Sequence, residues 1–552
     1  MSVRTWRWQS VATLMAWGLL CVSLAGPLGA LLFRYPPWPL DDVLRDSYVV
    51  AIVRFTLTQA LLSMALSIVP AVWVARAFAR RSSFWGRSWL LALLGLPIVL
   101  PPMVAVFAIT AVYGYNGALN HFLLAVGLPR LGSVYGLPGI VLAHVFFNLP
   151  LAVRWLLPLW ERIPVEHWRL AAQLDMPGWT CFRVIEWPVI RRALPGLAAL
   201  IFLLCLTSFA VVLTLGGGPA STTLPVALYQ SLRMESDFPL TAKLALLQMA
   251  LCLLVVVVLP WRASQAVDPP ERLQRPNRHD RHSFRACVVD AVAVISVALL
   301  VGLPVLAALL EGVRGPWRQV LGDSVFWHVT WGSLWIAAGS GTFALFIGLP
   351  LSASMAQHQR RRRQWLQISG LFGLAVPTVV LGAGWFMLLQ GNIGPWGSAL
   401  IMVSNGVMCV PYVLKMMVPA WSVLQAQYGP LRAQLGLTDR LWWQQVLWPL
   451  SRQALATALA VSVCMSLGDL GIVAIFGDQS SVMTLPLLLQ NQLADYHYGD
   501  AAVTSAVVMV LIGGVFAIAD KVVGGKAVGG KIEGRRAVLA NRLENKEGIA
   551  DE

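Results

Sequence analysis

Arg169-Leu-Ala-Ala-Gln-Leu-Asp-Met176 and Pro430-Leu-Arg-Ala-Gln-Leu-Gly-Leu437 write one stretch twice, 261 residues apart. The register holds beyond the quoted residues. Trp187-Pro188 matches Trp448-Pro449, Arg191-x-Ala-Leu194 matches Arg452-x-Ala-Leu455, and Thr223-Leu-Pro225 matches Thr484-Leu-Pro486. Both copies are polar islands in an apolar chain. A polar loop repeated between apolar runs asks for a repeated partner.

Around the islands, 57% of the 552 residues are hydrophobic and 12% are charged. Soluble domains carry about 25% charged residues, so the solvent of this chain is lipid. A spanning helix needs about 20 mostly apolar residues, whereas a membrane barrel shows short alternating segments. The runs here are long and continuous. They predict an all-α polytopic membrane protein of about twelve spans: 11–33, 50–75, 89–112, 137–160, 193–215, 241–260, 287–310, 326–356, 366–390, 397–420, 453–476 and 501–520. The run at 326–356 is too long for one straight crossing and is expected to tilt or project.

Basic residues orient the spans. They cluster before the first span (Arg4, Arg7), after the second (Arg76, Arg80, Arg81, Arg87) and after the fourth (Arg154 to Arg192). They cluster again after the sixth (Arg262, Arg272, Arg275, Arg278, Arg281, Arg285), the eighth (Arg360 to Arg363) and the twelfth (Lys521, Lys526, Lys531). The alternate loops are poor in basic residues or mildly acidic, as at Asp41, Asp42, Asp46, Asp478, Asp495 and Asp500. Both termini and both islands are therefore expected in the cytoplasm. The formal charge of +15 follows from this topology. A nucleic-acid-binding face would concentrate it on a soluble domain. The N-terminus reads as an uncleaved first span, because removing it would put the basic loops on the wrong side. The seven cysteines show no metal-ligand or redox spacing, so neither a disulfide nor a metal site is expected.

The repeat extends to whole halves. Pro150 matches Pro411 at the spacing of 261, while upstream a spacing of 280 pairs Pro70 with Pro350 and Pro97 with Pro377. Asp46-Ser47 answers Asp323-Ser324. The chain divides into halves at 1–265 and 287–520, with a cytoplasmic linker at 266–286 and a flexible tail at 521–552. Six spans per half is an even number, so the halves enter the membrane the same way, as a parallel repeat.

The islands sit in loops at 161–188 and 422–449. In the first, Pro164 and Glu166 are helix-start signals, and Ala, Leu, Arg and Gln favour helix. The helix should break over Asp175 to Gly178, because Pro177 disfavours helix at Met176 and Gly178 is a common stop. A second short helix is expected from about Trp179 to Glu186, ending near Pro188. In the second copy Gly436 supplies the turn and Pro449 the end. Asp175 stands where the turn calls for positive φ, a conformation in which Asp is enriched. Two short helices about a tight turn make a compact knob.

The islands resemble the cytoplasmic loop signature of ABC-importer permeases: Glu-Ala-Ala, a later Gly, then a hydrophobic-Pro ending. Arg169-Leu170 and Pro430-Leu431 replace its Glu and first Ala, and Asp175 replaces its Gly in the first copy. More narrowly, several segments are similar to the thiamine-transport permeases of Gram-negative bacteria. They are Leu142-Ala-His-Val-Phe-Phe-Asn-Leu-Pro150, Glu186-Trp-Pro188, Ser208-Phe-Ala-Val-Val-Leu-Thr-Leu-Gly-Gly-Gly-Pro219 and Ser466-Leu-Gly-Asp-Leu-Gly471. The likeness covers nearly all of 1–520. It implies a type I importer permease of the bacterial inner membrane, two copies of an ABC ATPase subunit and a periplasmic substrate-binding protein. The implied cargo is thiamine or its phosphate esters, moved from periplasm to cytoplasm by alternating access. Close relatives carry ferric iron or other small solutes. A secondary transporter with two six-span repeats is the rival class and needs no ATPase. The resemblance gives the coupling role to Glu166, Arg169, Ala171, Ala172, Gln173, Leu174, Asp175, Gly178 and Pro188 in the first loop. In the second it gives that role to Leu431, Arg432, Ala433, Gln434, Leu435, Gly436 and Pro449.

No catalytic constellation is evident, and the chain is expected to bind no cofactor, ATP and Mg²⁺ belonging to the partner. Gly525-x-x-x-x-Gly530-Lys531 imitates a phosphate-binding loop, but Ile532 follows where Ser or Thr is needed. Ile532-Glu-Gly-Arg535 resembles a protease site. Polar residues within spans are costly in lipid and are candidates for function. Asp469, whose repeat counterpart is Ser208, either attracts a cationic substrate or serves as a hydrogen-bonded gate or packing residue. His144 and Asn148 share one helix face, and Asn405 answers His144. They line the pathway or bond neighbouring helices.

Overall fold

The computed structural model describes residues 3–34, 45–258, 278, 280, 283–357, 376–390, 394–477 and 482–524. Its regular elements among these residues are all helical. Eleven stretches are long and apolar enough to cross a membrane, and they fall on eleven of the twelve expected spans. The remaining span, 366–390, is described from residue 376 onward and contains the helix Thr378–Leu388. Arg360 to Arg363, linker residues Arg262, Arg272, Arg275 and Arg281, Asp41, Asp42 and Asp478 lie outside the described residues. So do Lys526, Lys531 and both tail motifs.

Three spans are not the single helices expected. The 89–112 run is broken into Arg87–Leu93, Leu96–Val99 and Pro102–Tyr113, continued by Ala118–Ala125. Gly95 and Pro101 sit at the first two breaks. Proline lacks the N–H that would bond back one turn, and its ring crowds the preceding carbonyl. The crossing stretch is Pro102–Ala125. The 193–215 run belongs to Trp187–Leu206 and Ala210–Leu215, parted at Thr207 to Phe209. Its counterpart parts the same way, as Trp448–Leu467 and Gly471–Phe476. Ser324–Gln357, by contrast, is one helix of 34 residues. At 1.5 Å per residue it is about 50 Å long against a hydrocarbon core of about 30 Å, a length that calls for tilt or projection.

Ser47–Arg80 is likewise 34 residues long, capped by Asp46, whose carboxylate accepts from the Tyr48 and Val49 amides. Asp323 accepts from the Val325 amide at the other copy. These caps are 277 residues apart, and the hydrogen bonds inside keep that spacing. Thr56 Oγ1 accepts from Leu224 N at 3.0 Å, and Ser333 Oγ accepts from Leu485 N at 2.8 Å. The structural register of these helices is thus 277, replacing the 280 drawn through Pro70 and Pro350. Leu224 and Leu485 open two short helices, Leu224–Arg233 and Leu485–Ala494, between the expected spans 193–215 and 241–260 and between 453–476 and 501–520.

The two sets of helices exchange their first members. Val3–Arg34 packs against Ser324–Gln357 and Thr378–Leu388, while Phe284–Arg314 packs against Ser47–Arg80 and Pro102–Tyr113. Gly384 permits the first contact, since a Cβ there would meet the Pro27 carbonyl oxygen at 2.5 Å.

Candidate functional site

Each polar island folds into a knob at the end of its spanning helices. In the first, Val165–Gln173 is a separate helix, because Ile163-Pro164 ends the preceding Leu137–Glu161 helix. Asp175 takes φ 45°, and Met176 N bonds Ala171 O at 2.9 Å to close the turn. In the second copy Gly436 takes φ 59° and Leu437 N bonds Arg432 O at 3.2 Å. The two closures are the same pair of atoms shifted by 261, the αL turn that satisfies the orphan carbonyls of a helix end. The approach differs. Residues 422–435 do not form a separate helix, as the loop boundary at 422 implied. They continue Gly397–Leu435 as a single helix of 39 residues. Gln425 stands where the first copy has Pro164 and keeps its backbone N–H, and the helix runs on through Pro430.

Pro188 and Pro449 do not end the second short helix of each knob. Both are second residues of long spanning helices. The helix absorbs each proline by widening into a π-turn, Phe182–Glu186 and Trp443–Leu447, in which Trp187 N reaches Phe182 O and Trp448 N reaches Trp443 O. Such π-turns mark functional places in many helices.

On the outer face of each knob, Glu166, Arg169, Ala172, Gln173, Leu174 and Asp175 are exposed, as are Leu431, Ala433, Gln434, Leu435, Gly436 and Pro449. Ala171 is buried, and Gly178, Pro188 and Arg432 are half-buried, the last with its guanidinium 5.3 Å from the Trp442 ring centre. The exposed surface carries apolar pairs: Leu170 and Leu174 are 54% and 64% exposed, and Leu431 and Leu435, at the shift of 261, are 46% and 62% exposed.

Beneath the first knob lies a buried ion cluster. Glu186, fully buried, accepts from Arg76 Nε at 2.6 Å and from Arg278 Nη2. Arg278 also grips Asp280 through Nε at 3.0 Å and Nη2 at 2.9 Å. Arg80 lies 3.2 Å from Asp280 and 3.0 Å from Asp290, and Arg81 lies 3.3 Å from Asp290. Arg76 also donates to the Gly178 carbonyl at 2.6 Å, and its guanidinium is 4.9 Å from the Phe182 ring centre. The Arg278 guanidinium lies 3.8 Å from the ring centre of Trp168. Burial alone would raise the pKa of Asp280, but hydrogen bonds and charge from Arg278, then Arg80 and Arg76, outweigh it and hold it below the usual carboxylate range. The resulting stabilisation is present above the unfolded carboxylate pKa and is lost only as pH falls through the depressed folded value. Near neutral pH the Arg278–Asp280 pair is a fixed tie.

The second knob rests on apolar contacts instead. Trp421, Trp442 and Leu447 share a buried cluster with Met417 and Leu424, and Trp421 meets Trp443 edge-on at 5.8 Å. Leu447 is the repeat counterpart of Glu186. The sequence reading missed the ion cluster because Arg76, Arg80 and Arg278 counted as topology signals. The available sign was Asp290, a carboxylate inside an otherwise apolar run.

Within the spans, His144, Asn148 and Asn405 are buried and bonded to neighbouring helices. His144 Nδ1 lies 3.1 Å from Ser63 Oγ, and Asn148 donates to Cys205 Sγ at 3.3 Å. Asn405 donates to Ser466 Oγ at 3.1 Å, and Ser466 donates to Ser340 at 2.9 Å. Ser208 and Asp469 both occupy the break in the fifth helix of their set, and both are half-buried. Asp469 accepts from Ile472 N at 3.4 Å, capping Gly471–Phe476, and bonds the Thr378 side chain. The adjoining Gly468 lies against Pro101 of the other set.

Comparison with known proteins agrees with this architecture. A family model described as a binding-protein-dependent transport system inner membrane component matches residues 348–520. The chain is 40% identical over 512 residues to the thiamine transport system permease protein ThiP of Salmonella typhimurium, covering 92% of this chain and 95% of that one. It is 40% identical over 514 residues to the protein of that name from Escherichia coli, with the same coverage. To that of Brucella abortus it is 37% identical over 479 residues, covering 86% and 88%.

Proposed function

We propose a working cycle from one premise: the chain belongs to the thiamine transport permeases, inner-membrane components of binding-protein-dependent transport systems. It is a transport subunit of a multi-pass kind, and its cargo in this reading is thiamine or its phosphate esters. A substrate-binding protein delivers the cargo on the outer side, and ATP and Mg²⁺ are held by a separate ATPase. Two copies of that ATPase meet the chain, one at each knob, with both termini on their side of the membrane. The two halves are 1–265 and 287–520, joined by the linker at 266–286 and followed by the tail at 521–552.

The observation that carries this reading is the duplicated knob surface. Leu170 and Leu174, and again Leu431 and Leu435, stay exposed beside a left-handed turn at Asp175 and Gly436. Two apolar side chains one helical turn apart fill a groove on a partner, and the tight turn behind them makes each knob stiff enough to transmit motion. ATP binding draws the ATPases together, the knobs follow, and the halves rock about the seam where Gly468 meets Pro101.

The test is thiamine uptake by the chain reconstituted with its ATPase and binding protein. Uptake should need ATP and be competed by thiamine phosphate but not by ferric iron. Leu431→Ser with Leu435→Ser should abolish co-purification of one ATPase copy. Uptake without ATP, or undiminished ATPase binding in the variant, would overturn the reading.

A further inference from the structure

The ion cluster ties together parts of the chain that have no reason to meet unless the contact is used. Arg278 and Asp280 belong to the segment that links the two sets of helices. Both are buried, at 2% and 8% exposure. Arg278 reaches Glu186 and covers Trp168, which lie on the two arms of the first knob. Asp280 reaches Arg80 at the end of Ser47–Arg80, and Asp290 at the start of the next long helix holds Arg80 and Arg81 in turn. Three buried carboxylates thus face three buried arginines, with the half-buried Arg81 at the edge, so each buried charge has an opposite charge against it. No comparable cluster is seen beneath the second knob among the described residues. Leu447 and Ala353 stand where Glu186 and Arg76 would be, and both belong to the apolar cluster there.

We propose that Arg278 and Asp280 form a clasp by which the linker holds the first knob in its coupling position, a restraint with no counterpart at the second knob among the described residues. Arg278 is a positioning residue. It touches neither cargo nor nucleotide and acts through Glu186 and Trp168. The linker is then more than a covalent join between duplicated halves. It stiffens the first of the two levers, so the ATPase at that knob drives the helices with little slack. This rests on the reading of the knobs as ATPase contacts.

The test uses the full chain assembled with its ATPase and binding protein in liposomes. It compares thiamine moved per ATP hydrolysed in the wild type and in Arg278→Met. We expect the ratio to fall roughly tenfold, within the range of coupling between sites, while ATP hydrolysis and ATPase co-purification persist. Arg278→Lys, which keeps the charge but not the two-pronged grip, should lose less and serves if the Met variant assembles poorly. The clasp can also be rebuilt covalently. A Cβ on Gly178 would lie 3.8 Å from Asp280 Cβ, inside the disulfide window of about 3.5–4.5 Å. Gly178→Cys with Asp280→Cys, in an Arg278→Met chain with Cys181→Ala, should regain coupling on oxidation and lose it on reduction. An unchanged transport-to-ATP ratio in both Arg278 variants overturns the clasp. So does a cross-link that forms without restoring the ratio. Absence of ATPase from the purified wild-type chain overturns instead the reading of the knobs.

Discussion

Glu186 shows how much one residue can hold. Its carboxylate is fully buried and bonded by Arg76 and Arg278. Removing one member of a buried charge cluster leaves the others desolvated and unmatched, which costs about 3–5 kcal/mol. Glu186→Ala should therefore lower the thermal midpoint of the purified chain strongly. Glu186→Ala combined with Arg278→Met should cost less than the two single changes together, because each relieves the charge the other strands. Additive losses in that cycle would argue that the two side chains do not interact. The polar contacts within the spans are smaller in effect. Asn405 and Ser466 bond across two helices in a medium where such contacts contribute about 0.6 kcal/mol and at most about 1.7. Asn405→Ala should lower stability by that order and leave transport largely intact. A severe transport defect in a chain of near-normal stability would instead mark Asn405 as a pathway residue.

At the scale of elements, the two turns are the sharpest case. Gly436 has open space around a Cβ, but its φ of 59° is one that a β-branched residue resists. Gly436→Val should cost about 1–3 kcal/mol in backbone strain and lower transport per ATP, whereas Gly436→Asn should be tolerated, since Asn visits that region. Equal coupling in all three chains would remove the turn from the mechanism. That a positive φ is needed was legible in the sequence, because Asp175 and Gly436 align and few residue types share that conformation. The π-turns were not legible. A Trp-Pro pair reads as a helix stop, and only a helix held by packing on both sides of the proline has reason to widen rather than end. The separate helix of the first knob and the continuous one of the second part company where Pro164 stands against Gln425.

At the scale of the molecule, the exchange of first helices binds the two sets together. Gly384 lets Thr378–Leu388 approach Val3–Arg34 at Pro27. Gly384→Leu would drive a side chain into that backbone. It should destabilise the chain by at least about 1–3 kcal/mol, the usual cost of overpacking, seen as a lower thermal midpoint and poorer yield. Normal stability in the variant would mean that the first helix does not dock there. The repeat, the number of spans and the place of both knobs could all be read from the chain. Composition sets the solvent, and in lipid only helices satisfy their own backbone, so apolar length converts directly into spans. Which helix of one set packs on the other was not written locally, because apolar faces carry no address.

The amino-acid sequence by itself determined an all-helical membrane protein with a duplicated polar knob, since lipid leaves the backbone no alternative and a repeat is visible wherever polar and proline landmarks survive. Only the tertiary structure decided that the arginines near the first knob are a buried tie rather than surface charges that orient the chain. A charge has the same letter in both roles. What separates them is whether a carboxylate distant in sequence comes within hydrogen-bonding reach, and that depends on how the helices pack.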